Sequence, residues 1–248
     1  MSGLVLRLAG PLQSWGEHSV FAHRDTLRFP TRSGLIGLLA AAEGLKRGQS
    51  LAGYNDLRFT VRIDRPGVRM LDFHTIGGGM RRGVPRPDGG QRPREKATMV
   101  TRRQYLSDAV FTVAVEGPED RLAEITQALR QPHWQPYLGR RSCPPDQPLL
   151  LSSTATDPVA DLHTRVPVAR ALRHKEPPEA EFVTETAVEA ADAVTELADV
   201  PESFSRYDRR YRTRTVSITT QRIPENLFVK GEQYWDLLIA YVQEEEAR

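Results

Sequence analysis

Residues 57–64 read Leu57-Arg58-Phe59-Thr60-Val61-Arg62-Ile63-Asp64 and carry the clearest secondary-structure signal in the chain. Apolar and polar side chains alternate here with a period of two, and this alternation predicts a strand with one buried face and one wet, basic face. Pro66-Gly67 ends the strand, because this dipeptide favours a turn. We therefore expect residues 68–73 to return beside it as the second strand of a hairpin.

The segments on either side of this hairpin extend the pattern into an alternation of strands and helices. Working outward, strands are predicted at residues 4–8, 109–115 and near 149–151, and helices at residues 33–42 and 118–130. Ser33 is the expected N-cap of the first helix. In order, these elements are a strand, a helix, three strands, a helix and a last short strand. The simplest closure of this order is a β-α-β-β-α-β, ferredoxin-like (RRM-like) unit, so the predicted fold class is α+β.

Two domains are expected, at residues 1–148 and 149–248. Within the first lies an excursion at about residues 74–103, which is rich in glycine and far longer than the ordinary sheet connection of about 4–6 residues. The second domain has a predicted strand at residues 213–219 and a predicted amphipathic terminal helix at residues 232–244.

The charge of the chain is unevenly distributed. The formal net charge is +2, but residues 176–202 contain nine acidic side chains and neither lysine nor arginine. The other residues carry 34 basic against 23 acidic side chains. A basic body with one acidic segment is typical of a nucleic-acid-binding protein that keeps one face away from the phosphate backbone. Within this segment, residues 185–199 are predicted to form a short helix.

The single cysteine, Cys143, excludes an intrachain disulfide bond and a zinc cluster built on cysteines, and we expect it to pack in the core. No pattern in the sequence indicates a metal site or another cofactor. No apolar run approaches the ~20 residues that a membrane-spanning helix needs, and no basic segment precedes an apolar one at the start of the chain. We therefore expect a cytoplasmic protein with no membrane association and no cofactor.

Residues 136–144 read Pro136-Tyr137-Leu138-Gly139-Arg140-Arg141-Ser142-Cys143-Pro144. An aromatic ring and two guanidinium groups on a glycine-containing turn suit a nucleotide, because the ring can stack on a base and the arginines can meet phosphate oxygens. A surface turn whose tyrosine covers the core and whose arginines are solvated has the same composition. These nine residues alone leave the two interpretations open.

Together with this turn, several stretches resemble the CasD subunits of type I-E CRISPR Cascade complexes, which belong to the RAMP superfamily. Besides Arg24, the matching stretches are Leu6-Arg7-Leu8-Ala9-Gly10-Pro11-Leu12-Gln13-Ser14-Trp15-Gly16, Arg28-Phe29-Pro30-Thr31-Arg32-Ser33-Gly34-Leu35-Ile36-Gly37-Leu38-Leu39, Asp72-Phe73-His74-Thr75, Arg103-Gln104-Tyr105-Leu106-Ser107-Asp108-Ala109 and Phe111-Thr112-Val113-Ala114. They follow the family's order over residues 3–160, beyond which the resemblance becomes weak. Several motifs in one order are far more specific than any single short pattern.

The resemblance implies a ferredoxin-like body with a projecting thumb hairpin at about residues 74–103 and a small, mostly β C-terminal domain. It implies a non-catalytic subunit that binds the 5′ handle of CRISPR RNA (crRNA) and caps the filament of backbone subunits in antiviral defence. The processing cut is made by a separate subunit in such systems. The implied partners are the crRNA, the Cascade backbone subunit, the large subunit that recognises the protospacer-adjacent motif, and target DNA indirectly through the complex.

The resemblance and the side-chain chemistry together select candidate RNA-binding residues. Tyr137 is expected to stack on a base, and Gly139 to shape the turn. Backbone or base contacts are expected from Arg103, Arg140, Arg141 and Ser142, with Gln13 and Trp15 beside them. The loop before the first helix supplies an expected anion site from Arg24, Arg28, Arg32 and Ser33. His74 is interpreted as an orienting or RNA-contacting side chain. The thumb cations expected to meet RNA or a neighbouring subunit are Arg81, Arg82, Arg86, Arg92, Arg94 and Lys96.

Three alternatives stay open at the level of sequence. The run Arg206-Tyr207-Asp208-Arg209-Arg210-Tyr211-Arg212-Thr213-Arg214 suits single-stranded RNA, a partner protein or a solvated loop equally. A crRNA endoribonuclease is a second functional class, because relatives in the superfamily cut RNA without metal, and His74 and Tyr137 are then the residues to test. A purely architectural subunit with incidental RNA contact is a third class.

Overall fold

The structure is a computed structural model, and it describes residues 3–17, 22–77, 90–93, 98–186, 188–205 and 208–247. The strands are β1 (Gly3–Ala9), β2 (Leu12–Gln13), β3 (His23–Arg24), β4 (Arg58–Arg65), β5 (Val68–Ile76), β6 (Met99–Ser107), β7 (Val110–Glu116), β8 (Leu150–Ala155), β9 (Glu179–Thr184), β10 (Ala193–Phe204) and β11 (Arg209–Arg222). The helices are α1 (Arg32–Ala42), α2 (Glu119–Arg130), α3 (Pro158–Thr164) and α4 (Gly231–Glu246). In the described residues a large antiparallel sheet combines with these helices, which confirms the predicted α+β class.

The centre of the fold is a seven-stranded sheet in the order β10-β11-β9-β4-β7-β1-β8, in which neighbouring strands are antiparallel. β7 lies between β1 and β4, with Val113 opposite Leu6 on one side and opposite Val61 on the other. Leu6 belongs to a core cluster that includes residues of α1 and α2, whereas its neighbour Val5 belongs to a second cluster with residues of α3 and α4. The sheet therefore separates two cores and is covered on both faces.

β4 is the strand that the alternation predicted, but the prediction that one of its faces is wet and basic is wrong. Thr60, Arg62 and Asp64 are all buried. Arg62 Nε donates to Asp64 Oδ1 at 2.6 Å, and its Nη1 donates to the main-chain oxygens of Leu162 and Val166. α3 and the residues after it cover this face, and the buried guanidinium is satisfied by a carboxylate and by carbonyl oxygens.

A second sheet is built on β6, which pairs with β5 along its length, with β2 antiparallel and with β3 parallel. The prediction that residues 68–73 pair with β4 is therefore wrong. Gly67 forms the turn at which the chain leaves the central sheet: its φ is +71°, and a Cβ atom on it would lie 2.6 Å from the main-chain oxygen of Ser107. This glycine turn sends β5 into the predicted excursion, whose residues 78–89 and 94–97 lie outside the described residues.

The chain beyond residue 149 continues the central sheet. β9 pairs with β4 on one side and with β11 on the other, and β10 forms the edge. The predicted short helix at residues 185–199 is wrong, because β10 begins at Ala193 and pairs with β11. Carboxylates of this acidic segment neutralise arginines within the fold; for example, Asp199 Oδ1 accepts from Arg214 Nε at 2.6 Å. The division into two domains at residue 148 stays a prediction.

The other predicted helices occur where the sequence placed them. α1 and α2 match the predictions closely, and α4 confirms the amphipathic terminal helix, with Tyr234, Leu238 and Tyr241 buried. Among the described residues, no helix is long and apolar enough to cross a membrane.

Candidate nucleic-acid interface

An open cleft of about 1200 Å³ is lined by the start of α1, by the second sheet, by the turn at residues 136–144 and by the hairpin of β10 and β11. It brings together side chains that are far apart in the sequence. The candidate residues that line it are Arg24, Ser33, Arg103, Tyr137, Gly139, Arg140 and Arg141.

The turn is held by buried side chains and main-chain hydrogen bonds. Leu138 and Cys143 are buried, and Leu138 N donates to Cys143 O at 2.8 Å. Burial raises the pKa of the Cys143 thiol, as expected of a cysteine that packs in the core. Ser14 N donates to Leu138 O at 3.1 Å and ties the turn to the segment after β2. Gly139 has a φ of +81°, a conformation that favours glycine.

Arg140 extends from this turn to β3. Its Nη2 donates to the main-chain oxygens of Arg24 and Asp25 at 3.1 and 3.2 Å, and its guanidinium carbon lies 4.6 Å from the centre of the Tyr105 ring. Its Nη1 is buried and has no hydrogen-bond partner among the described residues. A buried donor without an acceptor costs free energy, so this geometry favours an acceptor supplied by a ligand. Tyr137 lies half-buried in the same lining.

The cleft carries an excess of positive charge. The lining cations are Arg24, Lys46, Arg47, Arg103, Arg140, Arg141 and Arg209, and the lining carboxylate is Glu17. In the part of the chain that the structure describes, none of these cations forms an ion pair, whereas Arg28, Arg32 and Arg214 elsewhere each do. Burial lowers the pKa of Arg24, and the nearby charges of Arg103, Arg140 and Arg209 lower it further. Uncompensated cations on a concave surface attract an anion.

Gln13 and Trp15 support the cleft from beneath. Neither side chain is exposed. Trp15 Nε1 donates to Gln13 Oε1 at 3.0 Å, and Gln13 Nε2 donates to the main-chain oxygens of Leu8 and Ala109 at 3.0 and 2.8 Å. Trp15 also packs on the first turn of α1, where a Cβ atom on Gly34 would lie 2.7 Å from its ring. The two side chains position the cleft walls and do not face the solvent.

The N-cap of α1 is Thr31, so the prediction of Ser33 as the cap is wrong. Thr31 has an extended backbone, and its Oγ1 accepts from Gly34 N at 3.2 Å, as an N-cap side chain does. Ser33 lies two residues later, inside the helix, where its Oγ donates to Thr31 Oγ1 at 3.4 Å. Ser33 lines the cleft together with Thr31.

Arg32 and Arg28 join the loop before α1 to the acidic segment and do not line the cleft. Arg32 is buried, and its Nη1 donates to Glu185 at 2.8 Å and to Leu57 O at 2.9 Å. Arg28 donates through both terminal nitrogens to Glu181, at 2.6 and 3.1 Å. Their guanidinium groups are thus used within the fold.

Two described candidates of the excursion, His74 and Arg92, do not line this cleft. His74 is exposed on β5, where its Nδ1 lies 3.9 Å from Asp72 Oδ2 and its main-chain oxygen accepts from Thr101 Oγ1 at 3.2 Å. Arg92 is exposed, and so is Ser142 in the turn. Outside the described residues lie Arg81, Arg82, Arg86, Arg94 and Lys96.

Several lining residues with cationic or aromatic side chains were not among the selected candidates, including Lys46, Arg47, Trp134, Arg209 and Tyr211. The last two belong to the run of arginines and tyrosines at residues 206–214, whose ligand the sequence left open. Lys46-Arg47 follows α1 without an aromatic or turn signature that would mark it. Its place in the cleft results from the packing of α1 and not from a local motif.

Comparison with known proteins places this chain among the CRISPR-associated proteins. A model of the family described as CRISPR-associated protein (Cas_Cas5) matches residues 3–217. The chain therefore belongs to the Cas5 family. The match extends well past residue 160, where the motifs recognised in the sequence fade.

The chain is also similar to individual members of such systems. It is 40% identical over 184 residues to the CRISPR system Cascade subunit CasD of Escherichia coli (strain K12), which covers 67% of this chain and 78% of the relative. A solved structure titled CRISPR RNA-guided surveillance complex has a TM-score of 0.88 and 48% identity, covering 97% of this chain and 99% of the other. Another, titled Crystal structure of Cas protein, has a TM-score of 0.64 and 31% identity, covering 92% and 98%. The resemblance to CasD subunits is thereby confirmed.

Proposed function

We propose that this chain is the non-catalytic subunit of a Cascade complex that binds the 5′ handle of crRNA in the cleft beside α1. The observation that carries the proposal is that Tyr137 lines the same cleft as several arginines, which have no carboxylate partner in the described residues. A single-stranded RNA end presents phosphates and unpaired bases together, and this lining suits both. Similarity to a Cascade subunit and to a chain of an RNA-guided complex supports the same ligand class.

Each lining residue has a proposed part in holding the RNA. Tyr137 stacks on an unpaired base, which is worth about 1–3 kcal/mol per base. Arg140 is oriented by the carbonyl oxygens of Arg24 and Asp25, so its guanidinium is held in the cleft lining beside the path proposed for the RNA. Arg24, Arg103 and Arg141 supply further phosphate contacts. The hydroxyl group of Ser33 is a short donor in the same lining, and Ser142, exposed in the turn outside the lining, offers a second hydroxyl.

We propose a ferredoxin-like arrangement for the body of the protein. The elements β1, α1, β4, β7, α2 and β8 follow the β-α-β-β-α-β order along the chain, and their strands lie in the order β4-β7-β1-β8 in the sheet. In this interpretation β5 and β6 form the base of the thumb, and residues 149–248 form the second domain.

The thumb is proposed to meet the neighbouring backbone subunit. Leu71 and Phe73 of β5 are 52% and 61% exposed, more than large apolar side chains usually are, and such side chains mark interaction surfaces. We propose that RNA or that subunit is contacted by His74, by Arg92 and by the thumb cations that lie outside the described residues. The chain then caps the backbone filament beside the large subunit, contacts target DNA only through the complex, and works in the cytoplasm.

The cleft favours binding over cleavage. Among the described residues, no histidine lines it, and no group of three His, Cys, Asp or Glu residues could hold a metal ion. RNA cleavage without metal needs a general acid and a general base within hydrogen-bond reach of the scissile phosphate. His74 is not part of the cleft lining that contains Tyr137, so these two residues do not form such a pair there.

The proposal is tested with labelled crRNA whose 5′ handle is intact or scrambled, mixed with the full chain. We expect handle-dependent binding and uncut RNA. A Tyr137→Ala, Arg140→Ala double variant loses a stacked base, worth about 1–3 kcal/mol, and a charged contact, worth about 1.5–3 kcal/mol when buried, and should lose binding. The matched control is Arg28→Ala, since Arg28 is paired with Glu181 outside the cleft lining.

Each other outcome points to one of the alternatives. Cleaved RNA would favour the endoribonuclease, and cleavage that disappears in a His74→Ala variant with binding retained would assign it to this chain. Binding that ignores the handle sequence, with complex assembly that proceeds without RNA and is insensitive to salt, would favour the architectural subunit. If the isolated chain binds no RNA, the same variants are compared in the complex assembled by co-expression.

A further inference from the structure

The C-terminal hairpin supplies one part of the cleft lining. Ala198 and Phe204 of β10 line the cleft together with Arg209 and Tyr211 of β11. β10 and β11 pair from Ala193 opposite Ile218 to Phe204 opposite Arg209. The lining side chains are therefore presented by a hydrogen-bonded ribbon, which holds them more firmly than an unpaired loop would.

The side chains of β11 divide into two sets at this end of the hairpin. Arg209 and Tyr211 are two residues apart, and side chains at this spacing lie on the same side of a strand. Both line the cleft. Arg210 and Arg212 alternate with them, do not line the cleft, and each have a carboxylate partner, at 3.2 and 3.0 Å. The charge of Arg209 is thus uncompensated, while its neighbours are neutralised.

Arg209 joins three other arginines that separate segments of the chain bring together. Arg24 comes from β3, Arg103 from β6 and Arg140 from the turn. Burial lowers the pKa of Arg24, and the charges of Arg103, Arg140 and Arg209 lower it further. In the described ranges none of the four guanidinium groups has a carboxylate partner; Arg103 donates to Thr101 Oγ1 at 3.0 Å and Arg140 donates to main-chain oxygens. Like charges held together repel each other, and a bound anion relieves this repulsion.

We propose that the hairpin of β10 and β11 is part of the RNA-binding site, in which Arg209 completes a phosphate site with Arg24, Arg103 and Arg140. Tyr211 offers its ring, which is 39% exposed, to a base of the same single strand. This inference rests on the proposed function and extends it from the turn at residues 136–144 to a second, distant segment. An acidic surface of a neighbouring subunit is the competing ligand for Arg209.

The test compares Arg209→Ala with Arg212→Ala in the full chain. Both variants remove one arginine from β11, but only the first removes a cleft cation. The probe is a fluorescently labelled crRNA with an intact 5′ handle, titrated at several salt concentrations. For Arg209→Ala we expect about tenfold weaker binding and a slope of log K against log salt that falls by about 0.7, the value for one lost phosphate contact in a single strand. Arg212→Ala should match the unsubstituted chain in both measurements.

Two further variants separate charge, stacking and folding. Arg209→Lys keeps the positive charge and should retain most of the salt slope. Tyr211→Leu removes the aromatic ring and should weaken binding while the slope is unchanged, because stacking releases no counterion. Arg209 is exposed and has no partner among the described residues, so thermal unfolding of its variants should match that of the unsubstituted chain.

The remaining outcomes overturn the inference in distinguishable ways. If Arg209→Ala binds RNA like Arg212→Ala while the Tyr137→Ala, Arg140→Ala double variant loses binding, the hairpin is not part of the site and the proposed function stands. If the double variant keeps full, handle-dependent affinity, the proposed function itself fails. If Arg209→Ala keeps its RNA affinity but is incorporated poorly into the co-expressed complex, the ligand of Arg209 is a protein.

Discussion

A Cβ atom on Gly139 would lie 1.8 Å from the main-chain oxygen of Ser14. This approach joins the turn at residues 136–144 to the segment that follows β2, and Gly139 lies between Tyr137 and Arg140 in that turn. Because the obstacle is a main-chain atom, no rotation of a side chain can relieve it. The position of the proposed RNA-stacking ring therefore depends on a contact that only glycine permits.

Gly139→Ala should displace the turn and weaken handle binding by about tenfold or more. Its φ of +81° alone costs an alanine about 1–2 kcal/mol, and the clash with Ser14 O adds to this cost. RNA affinity and urea denaturation are the measurements. Gly53→Ala is the control, because its nearest neighbour would be a side-chain atom of Arg121 at 3.5 Å, an ordinary contact. Unchanged affinity in Gly139→Ala would show that the turn does not set the RNA site.

Arg141→Ala should weaken RNA binding, whereas Arg32→Ala should lower the stability of the fold, although both positions were selected from the sequence as RNA contacts. Arg141 is exposed in the cleft lining, so its loss should weaken RNA binding and leave the free energy of unfolding within about 0.5 kcal/mol. Arg32 is buried against Glu185, so its loss should cost about 3 kcal/mol of stability. Denaturation curves and RNA titrations of both variants decide this; a stable Arg32→Ala protein with weak RNA binding would contradict it.

Arg62→Met should destabilise the protein by about 3–5 kcal/mol, because it leaves the buried carboxylate of Asp64 without its cation. Carbonyl oxygens after α3 lose their donor as well. Arg58→Met is the control on the same strand, where the side chain is exposed and a change within about 0.5 kcal/mol is expected. Similar denaturation midpoints for the two variants would mean that the buried pair contributes little.

His163 should make stability decrease in mild acid. Its ring stacks on Phe182 with centres 4.1 Å apart, and burial, followed by the charge of Arg62, lowers the pKa of its imidazole below the ordinary value of 6.5. Folding therefore favours the neutral ring: this stabilisation is complete above the ordinary pKa and is lost as the pH falls below it through the folded-state pKa. The thermal midpoint should drop between about pH 7.5 and about pH 5.5, and less in His163→Gln. His174 is exposed, so the thermal midpoint of His174→Gln should drop over this pH range as much as that of the unsubstituted chain.

Much of the local structure could be predicted because it depends on neighbouring residues. The period of two at residues 57–64 produced β4, and helical spacing at residues 118–130 produced α2. The turn at residues 136–144 occurs as a turn because Gly139 and the flanking prolines restrict the backbone locally. The same local signals failed at residues 185–199, where alanines and leucine suggested a helix but pairing with β11 imposes a strand.

The cleft brings together some of the residues selected from the sequence and leaves others outside its lining. Tyr137, Arg140 and Arg141 line one cleft, as a single local motif should. Arg32 and Arg141 have the same chemistry in the sequence, and nothing local distinguishes them. A carboxylate 153 residues away, in Glu185, accepts from Arg32, whereas Arg141 has no such partner among the described residues.

By itself, the sequence determined the strands and helices of the body, the uneven charge and the resemblance to CasD subunits, because periodicity, turn chemistry and motif order are properties of adjacent residues. Only the tertiary structure decided which face of β4 is covered, that β5 pairs with β6, and which arginines keep an uncompensated charge. These properties arise from contacts between distant segments, such as the hydrogen bond from Arg140 to the main chain of Arg24, 116 residues away. The energies of burial and ion pairing exist only after the segments have packed together.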